Sequence, residues 1–308
     1  MKSSLVFFGT GPVSLHCLDG IHDHFQIEAI ITKPDRSSPS GMQHPHPVRT
    51  WGEQQAIPVF QIGNEAELKA LWDSHRFTSL TGLVVDFGIT IPELVIDSFE
   101  LGIINSHFSL LPLLRGADPI SFAILEGLPE TGVSIMRIVP RMDEGDLLSQ
   151  GSYRLPEGIT TPDLTEKLGE ISNQMLVRDL PRYIRGEITP RPQDPAITPT
   201  YSRKLAKQDG QIDWSKPAAV LEREVRAFIG WPGSTAKLHG RDVTITATHI
   251  VVGKKSAIDN ASPGTPIPHP EEPLLITTGK DSLAIDRLKP AGKREMSASE
   301  FVRGYSKP

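Results

Sequence analysis

The sequence predicts an α/β protein: a mostly parallel sheet covered by helices, followed by a small β-barrel. Three observations carry this. Short apolar runs alternate with helical patterns from Ser4 to Leu155, a proline-dense stretch follows residue 186, and residues 204–308 hold several strand candidates around one helix. The length agrees, since 308 residues make two domains of ordinary size.

The elements follow in order. Leu5 to Phe8 is an apolar run stopped by Gly9-Thr10-Gly11-Pro12, too short for a signal-peptide core, and it reads as a buried first strand ending in a tight turn. Further strands are expected at Ile27 to Thr32, Val59 to Gln61, Leu83 to Asp86, Ile103 to His107 and Val133 to Ile138. Thr161-Pro162 opens a long helix, with a capping threonine, proline at the first helical position, and Asp163 and Glu166 in the first turn. Leu164, Leu168, Ile171, Met175 and Leu180 share its inner face, and Gly186 ends it. Pro190, Pro192, Pro195 and Pro199 disfavour helix and sheet, so residues 187–203 read as an extended, semi-rigid linker between domains at 1–186 and 204–308. In the second domain a helix is expected from Pro217 to Phe228. A strand is expected from Asp242 to Val252, where Val243, Ile245 and Ala247 alternate. Ser297 followed by Glu300 is a capping-box pattern for a last short helix.

Composition excludes several classes. With 38% hydrophobic and 22% charged residues, and no apolar run near the ~18 residues of a membrane span, the chain reads as soluble and globular. A lone cysteine, Cys17, excludes an internal disulfide framework and points to a reducing compartment, the cytoplasm; Cys17 itself reads as a small core residue. No Cys or His pair has zinc-site spacing, and His44 and His46 lie in a proline-rich loop expected to face solvent, so no metal is assigned. The net charge of -5 divides unevenly: residues 1–200 carry 15 Lys and Arg against 25 Asp and Glu, and residues 201–308 carry 17 against 12. A basic second domain behind an acidic first one suits a polyanion held by the tail, although ordinary scatter produces the same split.

The chemistry-bearing stretch is Asn105-Ser106-His107-Phe108-Ser109-Leu110-Leu111-Pro112, at the C-terminal end of the strand from Ile103. Asn105 and His107 project to one face there, and the C-terminal edges of parallel strands are where open α/β sheets bind ligands. By itself Asn-x-His fits a polar strand end as well as a catalytic pair. Asp143-Glu144-Gly145-Asp146 forms a second polar cluster, in a turn after the strand ending near Ile138. An amide donor, an imidazole and a carboxylate can stabilise a tetrahedral oxyanion and shuttle protons with no covalent intermediate. No serine or cysteine nucleophile is visibly paired to a base. Gly9-Thr10-Gly11 is part of a dinucleotide fingerprint, but Ser14 stands where the third glycine would fall, and a tight strand-to-helix turn accounts for both glycines.

These residues carry a resemblance. Asn-x-His-x-Ser-Leu-Leu-Pro, Arg115-Gly116-Ala117, Glu130-Thr131-Gly132-Val133 and Asp143-x-Gly145-Asp146 resemble the folate-dependent formyltransferases. In the tail, Tyr201-Ser202-x-Lys204-Leu205, Ile212-Asp213-Trp214, Arg226-Ala227-Phe228, Trp231-Pro232 and Leu288-Lys289-Pro290-Ala291-Gly292-Lys293 are similar to the branch of that family acting on methionyl-tRNA.

The resemblance implies a Rossmann-like first domain, its mostly parallel sheet with helices on both faces, that binds 10-formyltetrahydrofolate, and a small open β-barrel, OB-like, that helps hold initiator methionyl-tRNA, in a cytoplasmic monomer. It implies that Asn105 hydrogen-bonds the formyl oxygen, that His107 helps stabilise the tetrahedral intermediate, and that Asp143 orients His107 and helps remove the amine proton. Ser109, Leu110, Leu111 and Pro112 would line the folate site with Gly145 and Asp146, and Asp86, Phe87, Gly88, Ile91 and Pro92 would lie against the pterin. Gly9, Thr10, Arg36, Arg115, Lys204, Lys207 and Arg226 would meet the acceptor. Many members of the family are rich in Lys and Arg where this chain has the neutral run from Ser37 to Gln43. Three alternatives stand beside this reading: a formyltransferase for a small amine such as an amino-sugar nucleotide, a nicotinamide-dependent oxidoreductase built on the first glycine turn, and a nonenzymatic nucleic-acid-binding protein.

Overall fold

A computed structural model of the chain describes residues 2–37, 43–252 and 261–305, without the side chains of residues 36, 37, 43 and 44. The chain divides into two compact units. Met1–Pro119, Glu130–Arg154 and Thr165–Ser202 form the first, and Ile120–Pro129, Leu155–Leu164 and Arg203–Pro308 form the second.

In chain order the first strands are β1 (Ser3–Gly9), β2 (Phe25–Thr32), the short pair β3 (Arg36–Ser37) and β4 (Gln43–His44), β5 (Val59–Gln61), β6 (Gly82–Val85) and β7 (Ile103–His107). They are followed by the two-residue β8 (Arg115–Gly116), β9 (Glu130–Arg137), β10 (Leu147–Arg154) and the two-residue β11 (Tyr201–Ser202). Helices α1 (Pro12–Ile21), α2 (Pro47–Gln54), α3 (Glu65–Ser74), α4 (Glu93–Ile96), α5 (Pro119–Leu125) and α6 (Thr161–Ile184) alternate with them. Seven strands make one sheet in the order β10-β9-β7-β6-β1-β2-β5. β5, β2, β1, β6 and β7 run parallel, while β9 and β10 are antiparallel additions at one edge.

The pleat sends alternate residues to opposite faces. On one face Val6, Phe8, Ala29, Ile31, Val84 and Ile103 meet Leu68 of α3 and Val95 and Ile96 of α4. On the other, Cys17 of α1 lies 3.5 Å from Ser172 of α6, which bonds Ser106 of β7 at 2.7 Å. Fully buried side chains such as Phe8, Leu68 and Ile103 each contribute about 1.5–3 kcal/mol of transfer free energy. The expected mostly parallel sheet with helices on both faces is therefore the observed one.

Three local expectations change. The sequence reading stopped the sheet at Val133 to Ile138, whereas β9 turns back through residues 138–146 into β10, an edge strand. The cap of α6 belongs to Thr160, whose Oγ1 accepts from the Asp163 N–H at 3.5 Å; Thr161 Oγ1 instead donates to the Ala227 carbonyl at 2.8 Å. His46 is 8% exposed rather than solvent-facing, because its N–H is drawn to Asp35 Oδ1 at 3.1 Å as the chain turns into α2. The side chain of His44 lies outside the described residues.

The second unit holds β12 (Ser234–Leu238), β13 (Arg241–Val251), β14 (Pro266–Ile267), β15 (Leu275–Thr277), β16 (Ser282–Pro290) and β17 (Met296–Ser297), with helices α7 (Ala218–Ala227) and α8 (Ala298–Tyr305). β16 pairs with β13 along one side, and on the other with β15 at its start and β17 at its end, giving an antiparallel half-barrel. Val243, Ile245, Ile276, Ile285 and Leu288 bury against Val225 of α7 and Phe301 of α8. The capping box forms as expected, with Ser297 N–H on Glu300 Oε2 at 2.8 Å and Glu300 N–H on Ser297 Oγ at 3.3 Å. Among the described residues no helix is long and apolar enough to cross a membrane.

Candidate active site

β7 lies between a parallel neighbour, β6, and an antiparallel one, β9. Asn105 sits opposite Val84 and Met136, and His107 opposite Ser134. Ile103, on the same face, belongs to the apolar core, so within four residues that face changes from core to polar site. The half-buried amide of Asn105 has no hydrogen-bond partner among the described residues. His107 is 5% exposed, with Nε2 2.9 Å from the Leu114 carbonyl oxygen and Nδ1 3.8 Å from Asp143 Oδ2. A carbonyl can only accept, so Nε2 carries a proton and Nδ1 is the nitrogen turned toward the carboxylate.

Asp143 lies in the loop between β9 and β10. Its φ of +53 is left-handed, a conformation aspartate tolerates better than most residues. Its Oδ2 accepts from the Gly116 N–H at 2.7 Å, which holds the carboxylate beside the imidazole. Gly145, two residues on, must be glycine: a Cβ there would stand 1.8 Å from the Arg137 carbonyl oxygen. His107 and Asp143 therefore lie in ion-pair range, and Asn105 stands two residues before His107 on the same face of β7.

Sequence reasoning missed the backbone and the linker. Leu114 supplies the carbonyl that orients His107, and Gly116 the N–H that anchors Asp143; neither leaves a side-chain signal. Gln193 donates to the carbonyl oxygens of Asp143 at 2.7 Å and Gly145 at 3.1 Å. Residues 187–203, expected as an extended linker, run along the first unit as far as Ser202, where β11 pairs parallel to β8.

The segment after His107 is pinned from within the sheet. Ser134 Oγ donates to the Ser109 carbonyl at 2.6 Å and accepts from the Leu111 N–H at 3.0 Å, while Gln150 Nε2 donates to the Leu111 carbonyl at 2.9 Å. Ser109 is buried and donates to the Leu113 carbonyl, Leu111 and Pro112 are buried and joined by a cis peptide, and Leu110 is half-buried. At the end of β6, Asp86 and Gly88 are exposed with φ of +46 and +66, Ile91 is half-buried, and Pro92 is buried. Phe87 is buried in the core against Phe8, so its side chain is spent on packing. Gly145 and Asp146 close the β9–β10 loop, where the Asp146 carbonyl accepts from Arg137 N–H at 2.9 Å.

The residues expected to meet the acceptor are placed unevenly. Gly9 fits the turn after β1, where a Cβ would clash with Phe7, Ser14 and the Val85 carbonyl; Thr10 N–H donates to Ser14 Oγ at 3.0 Å. Ser14 also donates to the Val85 carbonyl at 2.6 Å, so the residue in place of a third glycine ties β1 to β6. Arg115 is buried, held by Glu144 Oε1 at 3.0 Å and Gln193 Oε1 at 2.7 Å. Arg226 is engaged by Glu222 and donates to the Ile159 carbonyl, whereas Lys204 and Lys207 are exposed with no ion pair among the described residues. The side chain of Arg36 and the neutral residues 38–42 lie outside what is described.

Residues 4–180 match the family described as formyl transferase, and residues 204–306 match the formyl transferase C-terminal domain. The N-formyltransferase of Helicobacter canadensis, solved with folinic acid and dTDP-3-aminofucose, shares the fold at a TM-score of 0.66 and 18% identity, over 92% of this chain and 99% of its own. Fold and sequence together define a formyl transferase carrying both of the family's domains. The methionyl-tRNA formyltransferase of Chloroflexus aggregans is 34% identical over 99% of this chain and 98% of its own length, and that of Bacillus licheniformis 34% over 97% and 94%. The chain belongs to the methionyl-tRNA formyltransferase family.

Proposed function

We propose that this chain transfers the formyl group of 10-formyltetrahydrofolate to the α-amino group of initiator methionyl-tRNA, as a cytoplasmic monomer. The observation that carries the choice of acceptor is the pair of methionyl-tRNA formyltransferases aligned over nearly the whole of both chains.

The residues fit the donor. The uncommitted amide of Asn105 lies at the end of β7, and the neighbouring loop from Asp86 to Pro92 follows the next strand, β6. Exposed Asp86 and Gly88, half-buried Ile91 and Leu110, and Asn105 would hold the folate. When bound, 10-formyltetrahydrofolate supplies the formyl carbon and its oxygen. Asn105 Nδ2 donates to that oxygen as it gains charge, a contact stronger in the transition state than before it. The acceptor amine, with a reference pKa of about 8, keeps a usable neutral fraction near pH 7. Asp143 keeps Oδ2 on the Gly116 N–H, and Oδ1, unbonded among the described residues, would take the amine proton as the amine–carbon bond forms and return it to the departing folate nitrogen as the formyl C–N bond breaks. His107, its Nε2–H fixed on the Leu114 carbonyl, turns its other ring nitrogen toward Asp143 at the end of β7, where it would help stabilise the tetrahedral intermediate.

Residues 201–308 support a polyanionic acceptor through their excess of 17 Lys and Arg over 12 Asp and Glu. A buried, unpaired Cys17 is in line with a reducing compartment. The test is competitive: protein is incubated with 10-formyltetrahydrofolate and, in turn, charged initiator tRNA, glycinamide ribonucleotide and a 4-amino sugar nucleotide. Formyl transfer fastest to the tRNA is the expected result. Equal or faster transfer to either small amine overturns it.

A further inference from the structure

We infer that Gln193, on the segment joining the two domains, is a positioning residue of the active site. The inference rests on the functional reading above.

Three observations place it. The carboxamide of Gln193 gives one nitrogen to two carbonyls of the catalytic loop, Asp143 at 2.7 Å and Gly145 at 3.1 Å, while its oxygen accepts from Arg115 Nη2 at 2.7 Å. The reverse orientation would set an NH2 group against a guanidinium and an oxygen against two carbonyls, so Arg115 fixes which way the amide points. Arg115 in turn holds Glu144 at 3.0 Å, so Asp143, Glu144 and Gly145 are all tied to one Gln-Arg frame. Asp143, at φ +53, needs such support, because a left-handed non-glycine residue persists only where its surroundings over-determine it.

The same segment holds the other half of the site. Its Arg191 exchanges two backbone bonds with Leu147, at 2.7 and 2.9 Å, just beyond the catalytic loop. Thr200 accepts the Leu114 N–H on Oγ1 at 2.9 Å and the Arg115 N–H on its carbonyl at 2.9 Å. Leu114 carries the carbonyl that orients His107, and Gly116 carries the N–H that anchors Asp143. Gln193 and Thr200 thus brace the two sides of a His107–Asp143 separation of 3.8 Å, and Gln193 is the side-chain contact on the carboxylate side.

The experiment compares Gln193→Ala and Gln193→Glu with wild type, and with Ile197→Ala, an exposed change in the same segment, as control. Gln193→Glu keeps an acceptor for Arg115 but removes both donated bonds and sets a carboxylate against two carbonyls, so it serves if the alanine variant folds poorly. Both Gln193 variants are expected to lose about 10–100-fold in kcat, with KM for the formyl donor and for charged tRNA within about threefold, as for a small misplacement of a reacting group. Hydrogen exchange at the Gly116 amide is expected to rise about tenfold while β6 amides keep their protection. A kcat within about twofold of wild type in both variants, or unchanged Gly116 exchange, overturns the proposal. If wild type formylates no charged tRNA, the functional reading fails instead, and Gly116 exchange still decides whether Gln193 holds the loop.

Discussion

His107 donates its Nε2 proton to the backbone carbonyl of Leu114 at 2.9 Å, while the carboxylate of Asp143 stands 3.8 Å from the other ring nitrogen. The tautomer of the ring is therefore set by the main chain, and Asp143 is free to act through its charge and its second oxygen. Asp143→Asn keeps an oxygen for the Gly116 N–H and leaves Leu114 in place, so the ring should hold its orientation. Its kcat should fall about 100-fold or more through loss of the base, with a melting temperature close to that of wild type. A variant that retains most of its kcat would remove Asp143 from proton transfer.

Asn105 presents a different balance, because its amide has no partner among the described residues. Asn105→Ala strands no buried partner, so urea unfolding should show a change within about 1 kcal/mol. The donor aimed at the formyl oxygen is lost, and kcat should drop about 100–1,000-fold. A large loss of stability with little loss of kcat in the folded fraction would reassign Asn105 to structure.

Gly116 links fold to site. Its φ is +113, and a Cβ there would lie 2.0 Å from the Ser202 carbonyl oxygen where β8 meets β11. Gly116→Ala must strain the backbone and part the two strands, so it should cost about 3 kcal/mol in urea unfolding. Because the same residue's N–H anchors Asp143, activity of the remaining folded protein should fall as well.

Which parts of this were legible in the sequence follows from what leaves a side-chain signal. Val59 to Gln61 and Ile103 to His107 match β5 and β7 to the residue, since each opens on an apolar pair directly after a proline or glycine. β10 was not, because Leu147 to Arg154 lies at a sheet edge and mixes serine, glutamine and glycine with its few apolar residues. The tandem Thr160-Thr161 carries one capping signal for two candidates, and only the backbone chooses between them. At the site, Asn105, His107 and Asp143 announced themselves as polar groups at strand and loop ends. Gln193 stood among prolines in what reads as a linker, the carbonyl on His107 is one that any residue at 114 could supply, and Gly116 shows in the sequence as a glycine but not as an N–H aimed at Asp143.

Ser14 decides the fate of the nicotinamide alternative. Ser14→Gly restores the spacing of a dinucleotide fingerprint but deletes a buried hydroxyl that serves Thr10 N–H and the Val85 carbonyl, and it places glycine inside α1. The variant should be destabilised by about 2 kcal/mol or more, and should bind NADH no better than wild type does. Tight NADH binding by either protein would revive the oxidoreductase reading.

The last prediction concerns acid. Asp209, in the short helical turn Lys207–Gly210, accepts two bonds from Arg203 at 2.7 Å each and one from Ala206 N–H at 2.7 Å. The Arg203 guanidinium and then the Ala206 N–H hold its carboxyl down to about 2, below the ordinary aspartate value near 3.9. A depressed carboxyl stabilises the fold above its unfolded value, and that contribution is lost as pH falls through the folded one. Asp209→Asn should therefore be less stable than wild type by a constant margin from pH 8 to pH 5. The margin should shrink between about pH 4 and pH 2 and vanish below. Arg203 is 63% exposed, so solvent screening limits the margin to about 1 kcal/mol. Unfolding curves across that range decide it: a difference that persists unchanged at pH 2 would mean that Asp209 acts through hydrogen-bond geometry rather than through its charge.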